Sequence, residues 1–130
     1  MSFPFTHAEV FGADPAALAE FYHAVLGWSV TQAEGVDYWR IAADPGGAPN
    51  AFAGGIARRP DFMPAGWLPY ARVDDVGACV AEALRRGGTL LREATPVPRT
   101  GWYAVIADPE GNAFAVFQPD ATAFPLPMPD

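Results

Sequence analysis

The sequence predicts an α+β fold built from two βαβββ modules. In that fold the modules form a curved, eight-stranded mixed sheet around a concave cavity, with both helices outside. Three observations carry the prediction. Two amphipathic intervals, Asp14–Gly27 and Asp74–Gly87, have equal length and matching start and stop residues. The segments Asp44-Pro45-Gly46-Gly47 and Asn50-Ala51-Phe52-Ala53 recur as Asp108-Pro109-Glu110-Gly111 and Asn112-Ala113-Phe114-Ala115. Short β-rich runs flank each repeat, and neither half alone can bury much core.

Asp14 is a natural helix N-cap, and Pro15 fits the first helical position. Leu18, Phe21, Tyr22 and Val25 follow at helical spacing, and Gly27 can adopt the left-handed exit. In the second interval Asp74 or Asp75 caps, Val76, Val80 and Leu84 with Cys79 and Ala83 make the stripe, and Gly87 stops it. Asp-Pro-x-Gly is turn chemistry, because Pro presets φ and Gly supplies a positive one. The strands are expected at Phe5–Phe11, Trp28–Thr31, Val36–Ala42 and Ala51–Ala57, then Trp67–Val73, Thr89–Arg92, Gly101–Ala107 and Ala113–Gln118. Module 1 thus covers about residues 5–58, a linker 59–66, module 2 about 67–119, and a proline-rich, extended tail 120–130. Gly54-Gly55 is read as a strand kink.

Composition narrows the function. The 130-residue chain carries eight basic residues, all Arg, against fifteen acidic ones, a formal charge of −7. Such a body repels nucleic acid and anionic membrane surfaces and favours a cationic or polycyclic small molecule. The single cysteine, Cys79, excludes an internal disulfide, and the start of the chain lacks a signal-peptide pattern, so a cytoplasmic protein is expected.

The segments His7-Ala-Glu-Val-Phe-Gly-Ala-Asp-Pro, Phe21-Tyr-His-Ala-Val-Leu-Gly-Trp28, Tyr70-Ala-Arg-Val-Asp-Asp75 and Asp108-Pro-Glu-Gly-Asn-Ala-Phe114 together resemble the vicinal oxygen chelate superfamily. It includes glyoxalase I, extradiol dioxygenases and bleomycin-resistance proteins. The resemblance implies a divalent metal on the concave face, held by up to four His, Glu or Gln side chains that fall here at His7, Ala53, near Leu68, and at Ala115. His7 is the only one of these positions that retains a ligand. A catalytic divalent site needs about three protein donors, so no metal and no other cofactor is expected. The alternative is a divalent ion weakly held by His7 and Glu9. His23, on the first helix, is read as a solvated or packed residue.

Strand alternation groups the pocket candidates. His7, Glu9 and Phe11 share a face. So do Tyr38 and Arg40, Leu68, Tyr70 and Arg72, Trp102 and Ala104, and Ala113, Ala115 and Phe117. The expected ligand pocket is His7, Glu9, Tyr38, Arg40, Ala53, Leu68, Tyr70, Trp102, Ala115 and Phe117. Arg40, Arg72 or Arg99 could hold a ligand carboxylate. Arg85, Arg86 and Arg92 are read as solvated helix-end charges, and Arg58 and Arg59 as linker residues.

The leading expectation is a metal-independent protein that binds or sequesters a small organic ligand such as an antibiotic or metabolite. The alternative is a lyase, isomerase or dioxygenase-like enzyme with His7 and Glu9 as its catalytic residues. A third class is a site completed by a partner chain. A homodimer is expected, with no nucleic-acid or membrane partner.

Overall fold

The computed structural model describes residues 3–42, 53–61, 63 and 66–124. The fold class is the expected one, α+β with two βαβββ modules. The chain separates into two compact units, Thr6–Pro69 and Tyr70 onward with the first residues up to Phe5.

In the first unit the elements are β1 (Phe5–Gly12), α1 (Pro15–Leu26), β2 (Val30–Gln32), β3 (Tyr38–Ile41) and β4 (Ala53–Arg58). The strand order is β2-β3-β4-β1, antiparallel except for the parallel pair β1–β4. α1 starts and stops where the sequence places it. The Asp14 carboxylate accepts from the Ala17 N–H at 3.2 Å, Pro15 opens the helix, and Gly27 closes it at φ 71. The core lies between α1 and one sheet face: Val10, Ala19, Ile41 and Ile56 are buried, with Leu18, Tyr22, Trp28, Val30 and Trp39 packed against them.

β2 begins two residues later than expected because Trp28 is held at the helix exit. Its ring stacks on Tyr22 at 5.3 Å, and His23 Nδ1 donates to its carbonyl at 2.8 Å. β3 begins later too, because residues 34–37 make the β2–β3 turn, with Gly35 at φ 76. The pairing of β4 runs unbroken through Gly54 and Gly55 on both sides. The glycine pair is therefore not a kink. A Cβ on Gly54 would lie 2.5 Å from the Ala8 carbonyl oxygen, so close strand approach requires the hydrogen there. The first Asp-Pro-Gly-Gly turn and Asn50-Ala51-Phe52 lie outside the described residues.

β5 (Gly66–Arg72), which belongs to the second unit from Tyr70 onward, leads to α2 (Val76–Arg85), β6 (Thr89–Val97), β7 (Gly101–Ala107) and β8 (Ala113–Pro119), and the strand order is β5-β8-β7-β6. Gly66, placed in the linker by the sequence, already belongs to β5. Asp75 rather than Asp74 caps α2, accepting from the Ala78 N–H at 3.0 Å. Gly87 follows the helix at φ 93. Val73, Val76, Ala104, Ile106 and Val116 form the core under α2, with Cys79, Val80, Ala83, Trp102 and Phe114 against it. Burial pushes the Cys79 thiol above its ordinary pKa, as for a packed hydrophobe. The β7–β8 turn is held by Asp108, whose Oδ1 accepts from the Glu110 and Asn112 backbone N–H groups at 2.9 and 3.0 Å.

Two expectations change here. β6 continues to Val97 instead of ending at Arg92, because two register shifts let the edge strand absorb its irregular middle and Pro96. The tail is not extended over residues 120–124. Asp120 Oδ1 accepts from the Thr122 N–H at 2.8 Å, the chain turns, and Ala123 is buried. Residues 125–130 lie outside the described residues.

Candidate functional site

Each sheet packs one face under its helix and leaves the other without one. In the first unit the α1 side takes Val10, Ile41 and Ile56. Alternation then places His7, Glu9 and Phe11 of β1, Ala53, Gly55 and Ala57 of β4, and Tyr38 and Arg40 of β3 on the opposite face. Register aligns them in rows. His7 pairs with Ala53, Glu9 with Gly55 and Gly55 with Arg40, while Phe11 pairs with Ala57 and Ala57 with Tyr38. Five predicted site residues, His7, Glu9, Tyr38, Arg40 and Ala53, are thus brought together.

Polar contacts link three of them. Tyr38 donates its hydroxyl to Glu9 Oε2 at 2.7 Å, and His7 Nε2 donates to the same oxygen at 3.2 Å. The His7 and Glu9 side chains are 30% and 15% exposed, so this carboxylate is largely removed from water. Tyr38 reaches it across β4 because Gly55 has no side chain. A Cβ there would stand 1.9 Å from the Tyr38 hydroxyl oxygen. Burial first, then the Glu9 charge and hydrogen bond, raise the Tyr38 phenol far above its ordinary pKa, although Arg40 pulls it down. The phenol stays a donor at any physiological pH. A dry carboxylate with two donors on one oxygen can neutralise a cationic group or take up a proton.

A divalent ion does not fit these donors. The resemblance places metal ligands at His7, Ala53, Leu68 and Ala115, and three of the four have no donor atom. Ala53 lies directly opposite His7 in the β1–β4 pairing. Among the described residues, no three or more His, Cys, Asp or Glu side chains gather as a metal site would require.

In the second unit Tyr70, Ala115 and Phe117 share the face opposite α2. Tyr70 pairs with Ala115, and Phe117 pairs with Tyr103. Leu68, two residues before Tyr70 on β5, is buried. Strand pairing therefore puts Tyr70, rather than Leu68, opposite Ala115 as His7 is opposite Ala53. Trp102 does not join this group. It sits in the core under α2, and its Nε1 donates to Asp120 Oδ2 at 3.2 Å. The aromatic residue that does face Tyr70 is Tyr103, with ring centroids 6.4 Å apart. Sequence reasoning missed it because two adjacent aromatics give no parity until the pairing with β8 is known.

Arg92 was also misassigned. It is a half-buried mid-strand residue, not a solvated helix end, and its Nε donates to Thr95 Oγ1 at 3.1 Å. Arg85 and Arg86 are solvated as expected and pair with Glu82. Arg58 pairs with Asp37 at 2.7 Å, and Arg99 lies 5.7 Å over the Phe124 ring. Arg72 is exposed, at the end of β5. His23 is exposed on α1.

Comparison with known proteins adds the family. A model of the glyoxalase-like domain matches residues 9–117. The chain is 34% identical over 109 residues to a Mycobacterium tuberculosis protein named "Putative glyoxylase CFP32", covering 81% of this chain and 40% of that protein. It is 32% identical over 127 residues to the anthracycline biosynthesis protein DnrV of Streptomyces peucetius, covering 81% of this chain and 43% of the relative. The chain thus spans about two-fifths of the length of these curated relatives. Among solved structures, a glyoxalase/bleomycin resistance protein/dioxygenase superfamily member from Vibrio splendidus superposes with a TM-score of 0.62 at 13% identity, over 92% of this chain and 100% of that one. The methylmalonyl-CoA epimerase of Mycobacterium tuberculosis gives 0.61 at 19% identity, over 89% and 87%.

Proposed function

The chain belongs to the glyoxalase-like domain family, and from that premise we propose that it binds a planar, polycyclic organic molecule without a metal. The Tyr38–Glu9–His7 hydrogen-bond chain carries this reading. It occupies the one retained ligand position, His7, with a protein partner and puts a dry carboxylate on a face free of helix. Within the first unit Ala53 puts a small side chain where the superfamily would hold an ion; the second unit, taken by itself, has Ala115 on the same strand face as the aromatic residues Tyr70 and Phe117. The charge of −7 favours a ligand bearing an amine, which Glu9 would receive. The anthracycline biosynthesis relatives support a polycyclic ligand class.

The test is direct. An anthracycline such as daunorubicin, which is planar, fluorescent and cationic, should be quenched saturably by the protein, with the same affinity after exhaustive EDTA treatment. Loss of binding on chelation overturns metal independence, and absence of saturable quenching overturns the ligand class.

A second reading, a lyase, isomerase or dioxygenase-like enzyme, is favoured by the same three residues, since Glu9 could exchange a proton with a substrate while His7 and Tyr38 hold it in place. Stoichiometric zinc, nickel, iron or manganese in the purified protein would support the metal-using form of that enzyme. The proposal also includes a cytoplasmic homodimer. The apolar Phe21, Val25 and Leu26 left exposed on α1 support self-association.

A further inference from the structure

The two repeated helices differ in what they show to solvent. α2 has a charged outer side, where Glu82 pairs with Arg85 and Arg86. α1 carries a single formal charge, Glu20, across Pro15–Leu26. Its outer side instead exposes Phe21 at 56%, Val25 at 61% and Leu26 at 52%. The apolar surface continues beyond the helix within the first unit. Tyr22 packs edge to face with Phe21 at 5.3 Å and with Trp67 at 5.5 Å, and Trp67 is itself 45% exposed. A helix that is apolar on its outer as well as its inner side is normally covered.

Helical spacing divides the outer side of α1 into two flanks. Phe21 and Val25 make the apolar one, Glu20 and His23 make the polar one, and Ala17 and Ala24 lie between them. All six are exposed. His23 is also oriented. Its Nδ1 donates to the Trp28 carbonyl at 2.8 Å, so Nε2 is the ring nitrogen left to take up a proton and donate. Among the described residues, neither Nε2 nor the Glu20 carboxylate has a hydrogen-bond or ion-pair partner.

We propose that α1 docks α1 of a second copy of this chain, antiparallel about a two-fold axis, so that Glu20 meets the partner's His23. Charge selects the occupant. Copies of a body at −7 repel one another, but this face brings one carboxylate and one imidazole to match it. Symmetry selects the arrangement. In an antiparallel pair like flank meets like flank, so the apolar flanks close on each other and each polar flank finds a carboxylate opposite an imidazole. A parallel pair would set Phe21 against a carboxylate. Ala17 and Ala24 let the two helices approach closely. The inference deepens the homodimer reading above, names its surface and rests on it.

Sedimentation velocity across a dilution series reads the dissociation constant of the whole chain. Glu20→Arg and His23→Glu should each raise it about tenfold or more, since the two-fold axis makes every like-charge clash twice. Glu20→Arg combined with His23→Glu should recover most of that loss. Single variants that leave the constant unchanged overturn the inference, and so does a double variant no tighter than the singles. The parent alone gives a second reading, which stands even if a variant fails to fold. The chain has two histidines, His7 and His23. His23 should resist diethylpyrocarbonate at concentrations where the dimer holds and react once it is diluted apart. Equal reaction of His23 in both states overturns the inference. A dimer that persists through these failures assembles by another face, whereas a parent that stays monomeric fails the homodimer reading itself.

Discussion

The Tyr38 hydroxyl donates to Glu9 Oε2 at 2.7 Å, a bond between β3 and β1 that passes over the intervening β4 at Gly55. One side chain thus ties β3 to β1 across Gly55, where a Cβ would stand 1.9 Å from the phenol oxygen. Tyr38→Phe should therefore destabilise the protein by about 1 kcal/mol, and Gly55→Ala by more, because its methyl displaces the phenol as well. Combining the two should cost little beyond Gly55→Ala alone, since both remove the same bond. Urea unfolding of the four proteins checks this, and full additivity counts against it.

The same bond has a pH signature. The folded state raises the Tyr38 pKa above its ordinary value near 10. The stabilisation is complete below that unfolded value and drains as pH rises above about 10, because the unfolded chain then loses the proton that the folded chain keeps. The stability difference between parent and Tyr38→Phe should shrink as pH rises from about 10 to about 11. A constant difference across that window would show that the phenol is not shielded.

Gly27 ends α1 at φ 71, and nothing lies within 4 Å of a Cβ built there. Gly27→Val should cost about 1 kcal/mol or more from backbone conformation alone, since a β-branched residue is strongly disfavoured at positive φ. Calorimetry should show a lower Tm for the variant, and an unchanged melt refutes the assignment.

Ala53 faces His7 across the β1–β4 pair. Ala53→Glu would place a carboxylate beside His7 and Glu9, giving the three donors a divalent ion needs. Isothermal titration with zinc should then show a binding step that the parent lacks. Absence of any gain would mean that Tyr38 holds Glu9 too firmly for it to serve a metal.

Light scattering at micromolar concentration should give twice the chain mass. Phe21→Glu with Val25→Glu should halve it, since these exposed residues lie one turn apart on α1. A single-chain mass for the parent refutes the homodimer.

The helix limits were legible because the capping residues act locally. Asp14, Pro15 and Gly27 need no distant partner to do their work. The His7, Glu9 and Tyr38 group was legible as separate strand faces, and period-two alternation sufficed to select it. What escaped depended on neighbours across the sheet. Gly55 reads as part of a strand kink until Tyr38 is seen to lie on it. Trp102 and Tyr103 exchange places as soon as β7 is paired with β8. Arg92 seemed to end a short strand, and only two register shifts carry β6 past it.

The parallel pairing of β1 with β4 has a consequence for the order of assembly. The β2–β3 and β3–β4 pairs join consecutive strands and close quickly. Within its own module β1 pairs with β4, at the far end, after the whole intervening loop is closed. On the ribosome His7 and Glu9 leave the exit tunnel before β4, and must wait for it before they have that pairing. The hairpin bearing Tyr38 is then already in place, so the carboxylate reaches a prepared donor.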